Sequence, residues 1–228
     1  MDIVLIAGLW LTADVWDPVI AELAAQGHRG IPVSLPGQDD GNKLATLADQ
    51  LDAVKREIAA ADRPLLVGHS AATTLAWMAA DSDPDRVSGV VFIGGFPETS
   101  ASTYADFFEP EDGWMRFPGW KSFEGPDSAD LSASDKDAMQ SRMVGVPEGV
   151  SKGMVTLSSP ARFAIPVTVL CPEFSPEVAQ EVIEGGGAPE LAETTNLELV
   201  NLESGHWPMV SCPKLLAEAL NAVAEKLS

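Results

Sequence analysis

The chain of 228 residues is poor in several residues that define whole classes of protein. It has two cysteines, Cys171 and Cys212, and three histidines, His28, His69 and His206. Two isolated cysteines give no disulfide framework. Three scattered histidines show no C-x₂-C or H-E-x-x-H spacing, so no metal site is expected. Basic residues are few: 14 against 34 acidic ones, a formal net charge of −20. Such a surface repels nucleic acid and anionic membranes, and no dense basic run relieves it. No apolar run reaches the roughly 18 residues that cross a bilayer. The opening MDIVLIAGLW has no basic n-region. It reads as a first strand rather than a signal, and a cytoplasmic protein is expected. Neither a P-loop nor a G-x-G-x-x-G is present, so no nucleotide cofactor is implied.

What is present is an ordinary globular composition, 46% hydrophobic, in a length that suits one domain spanning residues 1–228. Short apolar runs at Ile3–Ala7, Gly30–Leu35, Pro64–Val67, Arg86–Ile93, Pro166–Cys171 and Leu197–Leu202 read as strands. Between them lie amphipathic stretches. Val15, Trp16, Val19, Ile20 and Leu23 share one helical face, which stops at Gly27. Leu44, Leu47, Leu51, Val54 and Ile58 share another. Ala71 to Ala80 continues the pattern, and a last helix starts near Pro213. Strand and helix in alternation predict an α/β protein, a mostly parallel sheet of about six strands flanked by helices. The alternation fails from 97 to 165. That stretch, with EPEDGWMRFPGWKSFEGPD at its centre, is dense in Phe, Trp, Pro and acid. It is expected to be an inserted lid.

One junction stands out. LLVGHSAATT runs a buried strand into Gly68-His69-Ser70-Ala71-Ala72 and then a helix. A serine held on a sharp strand-to-helix turn needs small neighbours two residues away on each side, because larger side chains would strike backbone. Such a turn lifts Ser70 Oγ clear of the sheet and aims the Ala71 N–H at the same space. Serine needs a base. His206, in ESGHWPMV, follows the last strand and would emerge on the same sheet edge as Ser70. His28 reads as a solvated loop residue, and His69 as packing beneath the turn. A second N–H for a developing oxyanion is expected from IAGLWLT, with Leu9 the candidate and Trp10 lining the pocket.

AGLW, GHSAA and SGHWPM together resemble the α/β-hydrolase superfamily in its small bacterial serine-esterase form, over nearly the whole chain. The resemblance implies the α/β-hydrolase fold, a catalytic Ser70 and His206, an oxyanion hole at Leu9 and Ala71, and a cleaved carboxylic ester, lactone or thioester, with no cofactor. The family's acid follows the penultimate strand. Here Glu173, in VLCPEFSPE, is the nearest carboxylate, and Glu98 in GGFPET is the rival. The family often has His-Gly in the oxyanion loop, where this chain has Ala7-Gly8. Trp10, Phe107 and Trp114 are the pocket candidates, for a small-molecule ester. A hydroxynitrile-lyase-like lyase and a non-catalytic binder on the same fold remain as alternatives.

Overall fold

The computed structural model describes residues 1–227. In chain order the elements are β1 (Asp2–Ile6), α1 (Asp17–Ala25), β2 (Arg29–Pro32), α2 (Leu47–Ala60), β3 (Leu65–His69), α3 (Ala72–Ser82), β4 (Gly89–Ile93), β5 (Trp114–Met115), α4 (Ala133–Arg142), β6 (Val146–Pro147), α5 (Glu148–Ser151), β7 (Val167–Cys171), α6 (Pro176–Glu184), α7 (Pro189–Ala192), β8 (Leu197–Asn201), α8 (Pro208–Ser211) and α9 (Pro213–Lys226). Six strands form one sheet in the order β2-β1-β3-β4-β7-β8, every neighbouring pair parallel.

The central strands β3, β4 and β7 are buried at every position because helices cover both faces. Alternate residues go to opposite layers. Val4, Ile6, Leu66, Val90, Phe92 and Val169 pack with α2, α3, α6 and the 94–166 segment. Ile3, Leu5, Leu65, Val67, Val91 and Leu170 pack with α1, α4 and α9. The edge strands β2 and β8 are partly exposed.

α2 begins later than its apolar spacing suggests. Thr46 is its N-cap, accepting from the Asp49 N–H, while Asp49 accepts from the Thr46 N–H. This reciprocal box satisfies two donors and fixes the first turn. Leu44 is left outside it, 85% exposed.

Between β4 and β7 the chain forms a small substructure. β5 pairs antiparallel with β6, and α4 carries its own capping box at Ser132 and Asp135. The return leg is fastened to the sheet layer by a buried ionic cluster. Arg162 pairs with Asp81 of α3 and Glu190 of α7. Glu190 also accepts from Trp77 Nε1, and Asp81 accepts from the N–H groups of Ser158 and Ser159. Among the described residues no helix is long and apolar enough to cross a membrane.

Candidate active site

In a parallel sheet all strands leave at the same edge, and ligand sites collect there. Five consecutive strands of the order deliver the candidate residues to that edge. β1 runs into Gly8-Leu9-Trp10, β3 into Ser70, β4 into Gly94-Gly95, β7 into Glu173, and β8 into the loop of His206.

Ser70 has φ +55°, a left-handed value that costs a side chain strain and marks a forced turn. Its N–H donates to the Ile93 carbonyl of β4, and its carbonyl accepts from Thr73 N–H as α3 begins. At Gly68 a methyl group would lie 2.4 Å from the Ala72 carbonyl oxygen, a collision with backbone that no rotamer relieves. This is the close approach the small residues at 68 and 72 permit.

His206 Nδ1 lies 2.6 Å from Glu173 Oε1, both side chains largely buried. In neutral imidazole this places the proton on Nδ1 and leaves Nε2 unprotonated. Glu98 sits elsewhere: its N–H donates to Thr74 Oγ1. Gly94, at φ +62°, provides the room for the pair. A methyl there would stand 3.1 Å from His206 Nδ1 and 3.2 Å from Glu173 Oε2. At the next residue, Gly95, it would stand 3.0 Å from the Ser70 carbonyl oxygen. Two adjacent glycines therefore bring Ser70 and the His206–Glu173 pair to one spot on the rim. Ser70 Oγ and His206 Nε2 make no hydrogen bond to each other. Such bonds are commonly long in ligand-free sites and tighten in the complex.

His69 is buried and joins the serine turn to the histidine loop. Its Nε2 lies 2.7 Å from the His206 carbonyl oxygen. A carbonyl only accepts, so Nε2 carries the proton. Nδ1 is bare, buried and unpartnered. Burial first, and the nearby His206 second, push the pKa of His69 down to about 3. On its other side His206 is held by the segment between β4 and β7: its N–H donates to the Asp127 carbonyl, and the Gly205 N–H donates to Asp130 Oδ2, each at 2.7 Å. Burial raises the pKa of the Asp127 carboxyl above the ordinary carboxylate value.

The loop after β1 abuts the serine. A methyl at Gly8 would lie 3.2 Å from Ser70 Cβ. Leu9 and Ala71 are buried, and their N–H groups donate to no acceptor among the described residues. Trp10 has φ +64°, held by Nε1 donating to the Met115 carbonyl and by its own carbonyl accepting from Val144 N–H. Phe108, Phe117 and Phe123 pack on its ring at centroid distances of 5.4 to 6.0 Å. Phe123 also stacks over His206.

Phe107 and Trp114 lie apart from this cluster. Phe107 is 58% exposed, and its neighbour Phe108 takes the inward place. Trp114 packs its ring against Gly145 and lines an open groove with Thr12, Gln38 and Arg116. The pairing of β5 with β6 turns it there, and β5 bonds to Trp10 through the Met115 carbonyl instead. His28 is half-buried, bonded to Asn221 and the amino terminus on the far side of the sheet. Among the described residues no cluster of His, Cys, Asp or Glu is arranged to hold a metal.

A serine on a strained turn at the carboxyl edge of a parallel sheet, beside a histidine–glutamate pair, is the arrangement of one class of folds. The chain belongs to the alpha/beta hydrolase family, whose model matches residues 3–219. It is 34% identical over 98 residues to a pimeloyl-[acyl-carrier protein] methyl ester esterase of Edwardsiella ictaluri. That alignment spans 42% of this chain and 37% of the esterase. Among solved structures it is similar to an extracellular alpha/beta-hydrolase from a Paenibacillus species, with TM-score 0.77, 21% identity, and coverage of 96% of this chain and 97% of that one. Tomato methylketone synthase I matches with TM-score 0.78 at 16% identity, over 100% and 98% of the two chains. A pyrethroid hydrolase from Sphingobium faniae matches with TM-score 0.73 at 21% identity, over 99% and 97%. These three likenesses are of fold.

Proposed function

We propose that the chain is a serine hydrolase that cleaves small carboxylic esters through an acyl-enzyme. The observation that carries this reading is the His206 Nδ1–Glu173 Oε1 bond of 2.6 Å, set by Gly94 and Gly95 beside the strained Ser70. Membership of the alpha/beta hydrolase family supports it, as does the partial likeness to a methyl ester esterase.

In this scheme Ser70 Oγ attacks the ester carbonyl while His206 Nε2 takes its proton. Glu173 orients the ring and stabilises the imidazolium. The carbonyl oxygen gains negative charge and is held by the N–H groups of Leu9 and Ala71, fixed donors that need no reorganisation at the moment of reaction. His206 then gives its proton to the leaving alkoxide oxygen, and the alcohol departs. Water, deprotonated by His206, attacks the acyl-enzyme and releases the acid. Every proton and bond is accounted for by these side chains and water, so the scheme uses no cofactor. The 97–165 insert serves as the lid, and the ring cluster of Trp10, Phe108, Phe117 and Phe123 favours an apolar acyl or alcohol group. The net charge of −20 favours an uncharged substrate over an anionic one.

The test is hydrolysis of p-nitrophenyl esters of increasing chain length by the wild type and by Ser70→Ala. The variant is expected to lose at least about 10³-fold in kcat while melting at the same temperature. A fluorophosphonate probe is expected to label the wild type alone. Activity retained by folded Ser70→Ala overturns the proposal.

A further inference from the structure

The serine turn fixes one of the two proposed oxyanion donors, the N–H of Ala71. The other, that of Leu9, lies in an irregular loop, and something must set its direction. The peptide between Gly8 and Leu9 is planar and trans, so the Leu9 N–H points opposite to the Gly8 carbonyl. Whatever holds that carbonyl therefore aims the donor.

The Gly8 carbonyl accepts from Gln38 Nε2 at 3.0 Å and, at a longer 3.4 Å, from the Leu11 N–H of its own turn, so Gln38 Nε2 makes the closer of its two contacts. The same nitrogen donates to the Leu11 carbonyl at 2.7 Å, so one amide group grips the loop on both sides of residues 9 and 10. Gln38 is 4% exposed and comes from the loop after β2. Its orientation is fixed in turn. Gln38 Oε1 accepts from Gln50 Nε2 of α2 at 3.2 Å, and that nitrogen also donates to the Pro36 carbonyl at 2.9 Å. Two carbonyl acceptors at one end and an amide donor at the other permit a single setting of the Gln38 side chain. The adjacent Asp39 fastens the same two loops, accepting from the N–H groups of Ala13 and Leu35.

We infer that Gln38 is a positioning residue for the oxyanion hole, holding the Gly8 carbonyl back so that the Leu9 N–H faces the space above Ser70, with Gln50 keeping Gln38 in register. The inference rests on the serine-hydrolase reading. A free Gly8–Leu9 peptide is able to turn over and present its carbonyl where the donor stood. Buried side-chain amides are otherwise few, and a pair in series is a poor substitute for apolar packing.

The experiment replaces Gln38 with Met, which keeps length and volume and removes both donors. With p-nitrophenyl butyrate, kcat is expected to fall about 10²-fold, the usual cost of one oxyanion donor, with KM within about twofold. Affinity for a short alkyl trifluoromethyl ketone, whose adduct with Ser70 carries an oxyanion, is expected to fall in parallel. A merely structural role lowers the melting temperature without this split. Gln38→Met that folds and keeps wild-type kcat and ketone affinity overturns the inference, with Ser70→Ala still inactive. If Gln38→Met does not fold, Gln50→Met decides. A smaller kcat loss with the same split supports the inference, and unchanged kcat overturns it. A wild type no more active than Ser70→Ala refutes the hydrolase reading itself, and this inference with it.

Discussion

At the scale of single residues, the site depends on side chains that are neutral, small or absent. Gly94 is one. Alanine there would place its methyl 3.1 Å from His206 Nδ1 in a left-handed backbone conformation. Gly94→Ala is expected to lower kcat on p-nitrophenyl esters about 10²-fold, because displacing a base by an ångström is that costly. Glu173→Gln is expected to reduce kcat far more than Glu98→Gln, since only Glu173 meets the imidazole. His69 makes stability depend on pH. Folded, it stays neutral down to about pH 3; unfolded, it takes a proton near pH 6.5. Its folded pKa is depressed, so its contribution is whole above pH 6.5 and is lost as pH falls toward 3. The loss is about 2 kcal/mol by pH 5. Urea unfolding of the wild type and of His69→Gln from pH 7 to 5 measures it. The variant should show a flatter acid limb.

At the scale of elements, the segment between β4 and β7 makes two kinds of attachment. The turn 126–130 grips the histidine loop through Asp127 and Asp130, and Arg162 locks the return leg. Arg162→Met leaves Asp81 and Glu190 as unpaired buried carboxylates and is expected to cost about 3–5 kcal/mol of stability, read by urea unfolding. The central strands were legible in the sequence because burial on both faces writes them as mostly apolar runs. The elements of the insert were not. α4 buries only Met139, so it has no apolar stripe, and its Ser132–Asp135 box was the one available signal. β5 and β6 are two residues each, too short for any period. Leu44 matched the spacing of α2, and the Thr46 cap overrode it. Ser70 and His206 could be read from small-residue spacing and from their place after strands. Phe107 and Phe108 could not be told apart, because an irregular loop gives no rule for which side chain turns inward. Gln38 could not be found at all: a buried glutamine looks in sequence like any loop residue.

At the scale of the molecule, 34 acidic groups face 14 basic ones. Self-repulsion of this size weakens the compact state and is screened by salt. Raising NaCl from about 0.02 to 0.5 M, which shortens the Debye length several-fold, is expected to raise the melting temperature at pH 7. A scanning calorimeter reads this directly, and a flat response would mean the acidic groups are too dispersed to matter.

The ionic lock at Arg162 divides the segment between β4 and β7 into two parts. Residues 158–165 belong mechanically to the scaffold, whereas the chain before them bears the rings that pack on Trp10. Exchanging Phe108 and Phe117 alone, with the 126–130 turn and the Asp81, Arg162 and Glu190 triad untouched, therefore changes the apolar surface against Trp10 while leaving the anchors of the histidine loop and of the core in place.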